Sequence, residues 1–179
     1  MVFTHDTEAA LAQTAALVNA PLDDVAALSA FLREHQDTGV HTGTAEELAE
    51  VRALRPRFRR FWELGDDELV ETVNTMLRES AALPQLVRHD GWPYHLHAIP
   101  REAPLAVRMT VEAAMALVDV VRAAALDRLR VCAYPDCGNV LVDLSKNRSK
   151  RFCDGGCGNR AAVSAYRARR AALIRSPEP

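Results

Sequence analysis

Cys132-Ala133-Tyr134-Pro135-Asp136-Cys137 and, after fifteen intervening residues, Cys153-Asp154-Gly155-Gly156-Cys157 hold all four cysteines of this 179-residue chain. Two close pairs separated by a short span can deliver four thiolates from one chain to a tetrahedral Zn2+. Pro135 favours a turn inside the first pair, and Gly138 follows its second sulfur. In the second pair Cys157 opens what reads as a helix, whose positive end favours a thiolate. All six histidines lie upstream, at 5, 35, 41, 89, 95 and 97. The expected site is therefore four sulfurs with no open position, one structural Zn2+ per chain. Two disulfides are the alternative, disfavoured because the Met1–Asp6 start has no signal-peptide character and the expected compartment is a reducing cytoplasm. A Cys-x-x-x-Cys redox pair would leave the other pair unexplained.

Working outward, the cysteines sit in a basic surround. Residues 128–175 carry nine Arg and two Lys against three Asp, a net +8, whereas residues 1–127 carry eleven Arg against twenty acids, a net −9. Glu178 completes the overall −2. Such asymmetry points to a polyanion as partner of the basic part, and four thiolates on Zn2+ lower its charge only to about +6. The candidate nucleic-acid contacts are Lys146, Asn147, Arg148, Lys150 and Arg151 between the pairs, then Asn159, Arg160, Arg167, Arg169 and Arg170 on an Arg-studded helix. Arg makes bidentate contacts with phosphate or guanine, and Asn can read adenine. Asn159 and Arg160, beside a ligand, could equally brace the zinc turns. On that helix Ala161, Ala165, Ala168 and Ala172 share one face, suited to packing on the knuckles or on the preceding domain.

Upstream, apolar periodicity marks helices over Thr7–Val18, from Asp23 or Asp24, from Thr44 with Glu47 as a capping box, and from Asp66. Pro56 predicts a kink or break near Arg55. Residues 85–99 alternate instead, predicting two strands joined by an Asp90-Gly91 turn. A long core helix is expected from about Pro104 to Arg130. The fold class is mainly α with one β-hairpin (α+β), plus a small four-Cys zinc finger ending in a helix. The expected divisions are 1–128, 129–174 and a 175–179 tail. With 49% apolar residues and no run of ~18 apolar residues, neither disorder nor a membrane span is expected.

Cys157-Gly158-Asn159-Arg160, preceded by Asp143-x-Ser145-x-Asn147-Arg148-Ser149-Lys150-Arg151-Phe152-Cys153, resembles the CGNR zinc finger. Leu17-Val18-Asn19, the Trp92-to-His97 hairpin and Val111-Glu112-Ala113-Ala114 make the preceding part resemble the ABATE domain that typically precedes that finger. The resemblance covers nearly the whole chain and is most specific at the finger. It implies a bacterial, stress-induced transcription regulator whose finger binds DNA.

His95 and His97 share one face of the second strand, with Trp92 nearby, and the three form a candidate ligand pocket. Packed or hydrogen-bonded imidazoles are the plainer account, as are hairpin-packing roles for Trp92 and Tyr94. No Gly-rich phosphate loop, Gly-x-Ser-x-Gly elbow or His-Glu-x-x-His helix occurs, so catalysis is not expected. The expected protein is a cytoplasmic, nucleoid-associated regulator that binds DNA, its N-terminal domain sensing a small-molecule effector or forming a homodimer. The alternatives are an RNA binder or a zinc-stapled protein-interaction module, whose Arg helix could dock on the chain's own acidic domain.

Overall fold

The computed structural model describes residues 2–37, 39–88, 91 and 93–175, with only the backbone described for 172–175. His89, Asp90, Trp92 and the tail at 176–179 lie outside the described residues. The helices are α1 (His5–Asn19), α2 (Val25–Glu34), α3 (Ala45–Arg59), α4 (Asp66–Glu79), α5 (Leu105–Arg122) and α6 (Cys157–Arg175). The strands are β1 (Gln85–Val87), β2 (His95–His97), β3 (Leu129–Val131) and β4 (Val140–Val142). Single 3-10 turns occupy Arg60–Trp62 and Leu126–Arg128. The class is mainly α, as expected, but among the described residues there are two antiparallel pairs, β1–β2 and β3–β4.

Helix starts follow local chemistry. The Asp24 carboxylate accepts from Ala27 N at 2.7 Å, and the Thr44 hydroxyl accepts from Glu47 N at 3.2 Å. Glu47 turns back to accept from the N–H groups of Thr42 and Gly43, completing a variant of the capping box. The core forms where α5 meets α1, α3 and α4. Leu17, Val51, Phe58, Leu69, Leu117 and Val120 are fully buried there, each contributing ~1.5–3 kcal/mol of apolar transfer.

Three expectations need correction. First, α5 stops at Arg122, and Ala124 takes a left-handed φ of 48°. Leu129–Val131 then leave the helix because they pair with Val140–Val142. Second, α3 runs unbroken through Pro56 to Arg59. The proline sits in the last turn, where its missing N–H removes a single helical bond, and buried Leu54 and Phe58 pin that turn to the core. Third, Val87 lies opposite His95, so seven residues separate the strands and a two-residue Asp-Gly turn does not join them. The hairpin's apolar side is also not core: Leu86, Tyr94 and Leu96 are exposed, and the Arg88 guanidinium lies 5.2 Å over the Tyr94 ring.

β4 ties the cysteine-bearing segment to the helices. Val140 and Val142 belong to the main core. Asn19 Nδ2 donates to Val140 O at 2.8 Å, and Val140 N donates to Asn19 Oδ1 at 2.9 Å. The Trp62 indole N–H donates to Leu141 O at 2.9 Å, and the Arg59 guanidinium donates to Gly138 O. This junction is thus apolar and mainly hydrogen-bonded. Among the described residues, Arg148–Asp127 at 2.6 Å is the one ion pair linking the basic segment to an upstream acid.

Candidate metal centre and basic surface

β3, β4 and the start of α6 bring the four sulfurs together. All lie within 4.8 Å of one another, with Cys137–Cys153 at 3.8 Å and Cys157 at 3.5 Å from both. A tetrahedron with Zn–S of ~2.3 Å has S–S edges of ~3.8 Å, whereas a disulfide needs ~2.05 Å. The spacing fits one metal ion and no disulfide. Cys132, Cys153 and Cys157 are buried with Leu141 in a small separate core, and Phe152 and Tyr134 pack on it. Cys132, Cys137, Cys153 and Cys157 would hold a Zn2+ ion as its four ligands, which would tie the segment together and leave no coordination position for chemistry.

Four thiolates around Zn2+ would leave a net charge of −2, and nitrogen donors face three of the four sulfurs. Cys153 N donates to Cys132 Sγ at 3.4 Å, Asn139 Nδ2 to Cys153 Sγ at 3.5 Å, and Arg160 Nη2 to Cys157 Sγ at 2.8 Å. Burial raises the Cys132 thiol, but backbone N–H groups of Cys153 and Tyr134 outweigh it and bring the thiol to about 7. Burial pushes the Cys157 thiol up to about 12 in the absence of metal, against the opposing Arg160 hydrogen bond. The Arg160 guanidinium also lies 4.9 Å over the Tyr134 ring. Arg160 thus contacts both cysteine knuckles, and both it and Asn159 are exposed.

The loop between the cysteine pairs has its own anchor in Asp143, fully buried. Its carboxylate accepts from Ser145 N and Lys150 N, both at 3.0 Å, and from the Ser145 hydroxyl, and it pairs with Arg130 at 3.0 Å. These partners outweigh desolvation and hold its pKa below the ordinary carboxylate value. Arg128 donates to the carbonyls of Asp143 and Ser145. Sequence reasoning quoted Asp143 only as part of a run and passed over Arg128, Arg130 and Asn139; basic residues flanking a buried acid were the available signal.

The ten nucleic-acid candidates separate into two groups. Arg148 pairs with Asp127, Lys150 with Asp154 at 3.0 Å, and Arg160 with Cys157. Lys146, Arg167, Arg169 and Arg170 are exposed and make no ion pair among the described residues, and Arg151 makes only a 5.7 Å contact with the Phe152 ring. Asn147 is exposed as well. Contrary to the expected packing of the alanine face, Ala165 and Ala168 are exposed. The whole of α6 from Ala162 to Ala171 faces solvent.

His95 and His97 meet, Nε2 to Nε2 at 3.0 Å, on the half-buried side of β2. They line a cavity of about 430 Å3 between α1, the end of α2 and α5. Among the described residues, only the four cysteines gather three or more metal-ligating side chains.

Fold and site together define a zinc-finger protein with an α-rich N-terminal part. Residues 128–170 match the CGNR zinc finger, and residues 7–125 match ABATE, described as a putative stress-induced transcription regulator. The chain belongs to the ABATE family, with a C-terminal CGNR finger. A comparison with curated proteins finds no match. No helix among the described residues is long and apolar enough to cross a membrane.

Proposed function

We propose that this chain is a non-catalytic, cytoplasmic regulator that grips duplex DNA through its finger. The observation that carries this reading is the division of the cations. Among the described residues Lys146, Arg151, Arg167, Arg169 and Arg170 make no ion pair, while Arg148, Lys150 and Arg160 contact Asp127, Asp154 and Cys157. Unpaired guanidinium groups bind phosphate without first breaking an internal contact. The exposed Asn147 and Asn159 are candidates to reach base edges.

In this reading the N-terminal helices sense a ligand, and α1 carries the signal. Near one end of α1 the Thr7 hydroxyl donates to Asp119 Oδ2 at 2.6 Å beside the cavity. At the other end Asn19 pairs with Val140 of the finger. The two anchors are twelve residues apart, ~18 Å along the helix. His35, at the end of α2, lines both the cavity and a second hollow against the finger. Self-association through the exposed apolar face of Leu86, Tyr94 and Leu96 is the other role this domain supports.

A second reading, docking of α6 on a protein surface, is favoured by exposed Val163 and Tyr166 on that helix. Anisotropy titrations of the zinc-loaded protein with labelled duplex DNA, and with single-stranded RNA as competitor, test the choice. Tight duplex binding that RNA fails to displace is expected. Undetectable duplex binding at low salt leaves the protein-docking account.

A further inference from the structure

The cavity between α1 and α5 has a definite chemistry. Its apolar wall includes Ala98, Ile99, Val111, Met115 and Ala116, and its volume of about 430 Å3 suits a small organic molecule. Most of its charged groups already have partners. Arg108 donates to the carbonyls of Val40, Arg101 and Ala103 and pairs with Asp37 at 3.1 Å, both side chains being buried. Asp119 takes the Thr7 hydroxyl and lies 3.9 Å from Arg122. Asp6 accepts hydrogen bonds from the Thr4 side chain and from backbone groups that include Leu96.

Glu112, like Glu34 at the end of α2, lines the cavity and makes no hydrogen bond or ion pair among the described residues. Glu112 is exposed to the cavity from the middle of the α5 wall. Surrounding protein and the negative charge of Asp37 raise its carboxyl to about 7, and Arg108 only partly offsets them. A largely apolar chamber whose inward carboxylate has no ion-pair partner is complementary to a cation carried on an apolar body. Anions find no idle guanidinium there: Arg108 is engaged by three carbonyls and Asp37, Arg122 lies 3.9 Å from Asp119, and Arg101 has a partner of its own.

We propose that this cavity is a receptor site for a small organic cation, an alkyl or aralkyl ammonium group held by Glu112 with its hydrocarbon part against Ile99 and Met115. The proposal rests on the sensing role given above and names the ligand class. Hexylammonium, hexanol and hexanoate serve as size-matched probes, followed by methyl NMR of Ile99 and Met115 in the zinc-loaded full chain. Hexylammonium is expected to give saturable shifts, with hexanol and hexanoate binding about tenfold more weakly or less. Glu112→Gln is expected to reduce hexylammonium affinity to the level of hexanol while leaving hexanol affinity unchanged, which controls for folding. Equal or tighter binding of hexanol or hexanoate, unchanged amine affinity in the variant, or no shift with any probe would overturn the proposal. Amine binding that leaves duplex affinity unaltered would keep the receptor site and remove its sensing role.

Discussion

Arg160 donates from Nη2 to Cys157 Sγ at 2.8 Å while its guanidinium covers the Tyr134 ring. The side chain thus compensates one thiolate of a centre carrying net −2, and it joins the two cysteine knuckles. Replacing such an outer-shell donor lowers metal affinity by ~10–100-fold. Arg160→Ala is expected to show that loss in competition with a chromophoric chelator, and Arg167→Ala to show none. Equal zinc affinities for the two variants would show that the Arg160 contact does not support the metal site.

Zinc removal reaches beyond the finger. Val140 and Val142 are part of the main core, so unfolding the cysteine segment uncovers α1 as well. Chelation is expected to cost α6 helicity in far-UV circular dichroism and to lower the Tm of the entire chain. Unchanged helix content and Tm after complete zinc removal would contradict a structural metal.

Asn19 supplies both hydrogen bonds that fix Val140 to α1. Asn19→Ala leaves a part-buried carbonyl and N–H unpaired, a loss of ~2 kcal/mol or more. Hydrogen exchange is expected to quicken at 138–142 while zinc stoichiometry is kept. Unaltered exchange there would show that the apolar contacts of β4 suffice.

Glu112 links stability to pH. Its carboxyl is raised from 4.5 to about 7 in the folded protein, by burial first and Asp37 second, with Arg108 opposing. Between those values the folded chain retains a proton that the unfolded chain has released, so its contribution to stability falls as pH rises through that window and is flat above it. Glu112→Gln removes the fall, and histidine titrations largely cancel in the difference between the two proteins. The Tm advantage of Glu112→Gln is expected to be larger at about pH 8 than at about pH 5. A constant difference would mean that the carboxyl titrates normally.

Local signals made the helices and the metal ligands legible. Asp24 and Thr44 marked starts that the structure caps as expected, and the cysteine spacing identified four sulfurs that converge. Long-range pairing was not legible. Leu129–Val131 carry a helix-compatible pattern and become strand only because β4 lies beside them. Pro56 reads as a breaker, yet tertiary burial of Leu54 and Phe58 overrides it in the last turn. Charge arithmetic over 1–127 and 128–175 suggested internal docking through opposite charges, whereas Asn19, Trp62 and the valines of β4 form the joint. The +8 total likewise hid the difference between an arginine that braces a thiolate and one that faces solvent. The cavity around Glu112 needs α1, α2, β2 and α5 in place at once, and no local pattern announces it.

The central claim is that solvent-facing arginines of α6 contact DNA phosphate. Its most direct measurement is the salt dependence of duplex affinity for the zinc-loaded wild type and for Arg167→Ala/Arg170→Ala. Each lost phosphate contact lowers the log–log slope by ~0.9, so the double variant is expected to lose ~1.8 while keeping its zinc. An identical slope in a fully metallated double variant would contradict the claim.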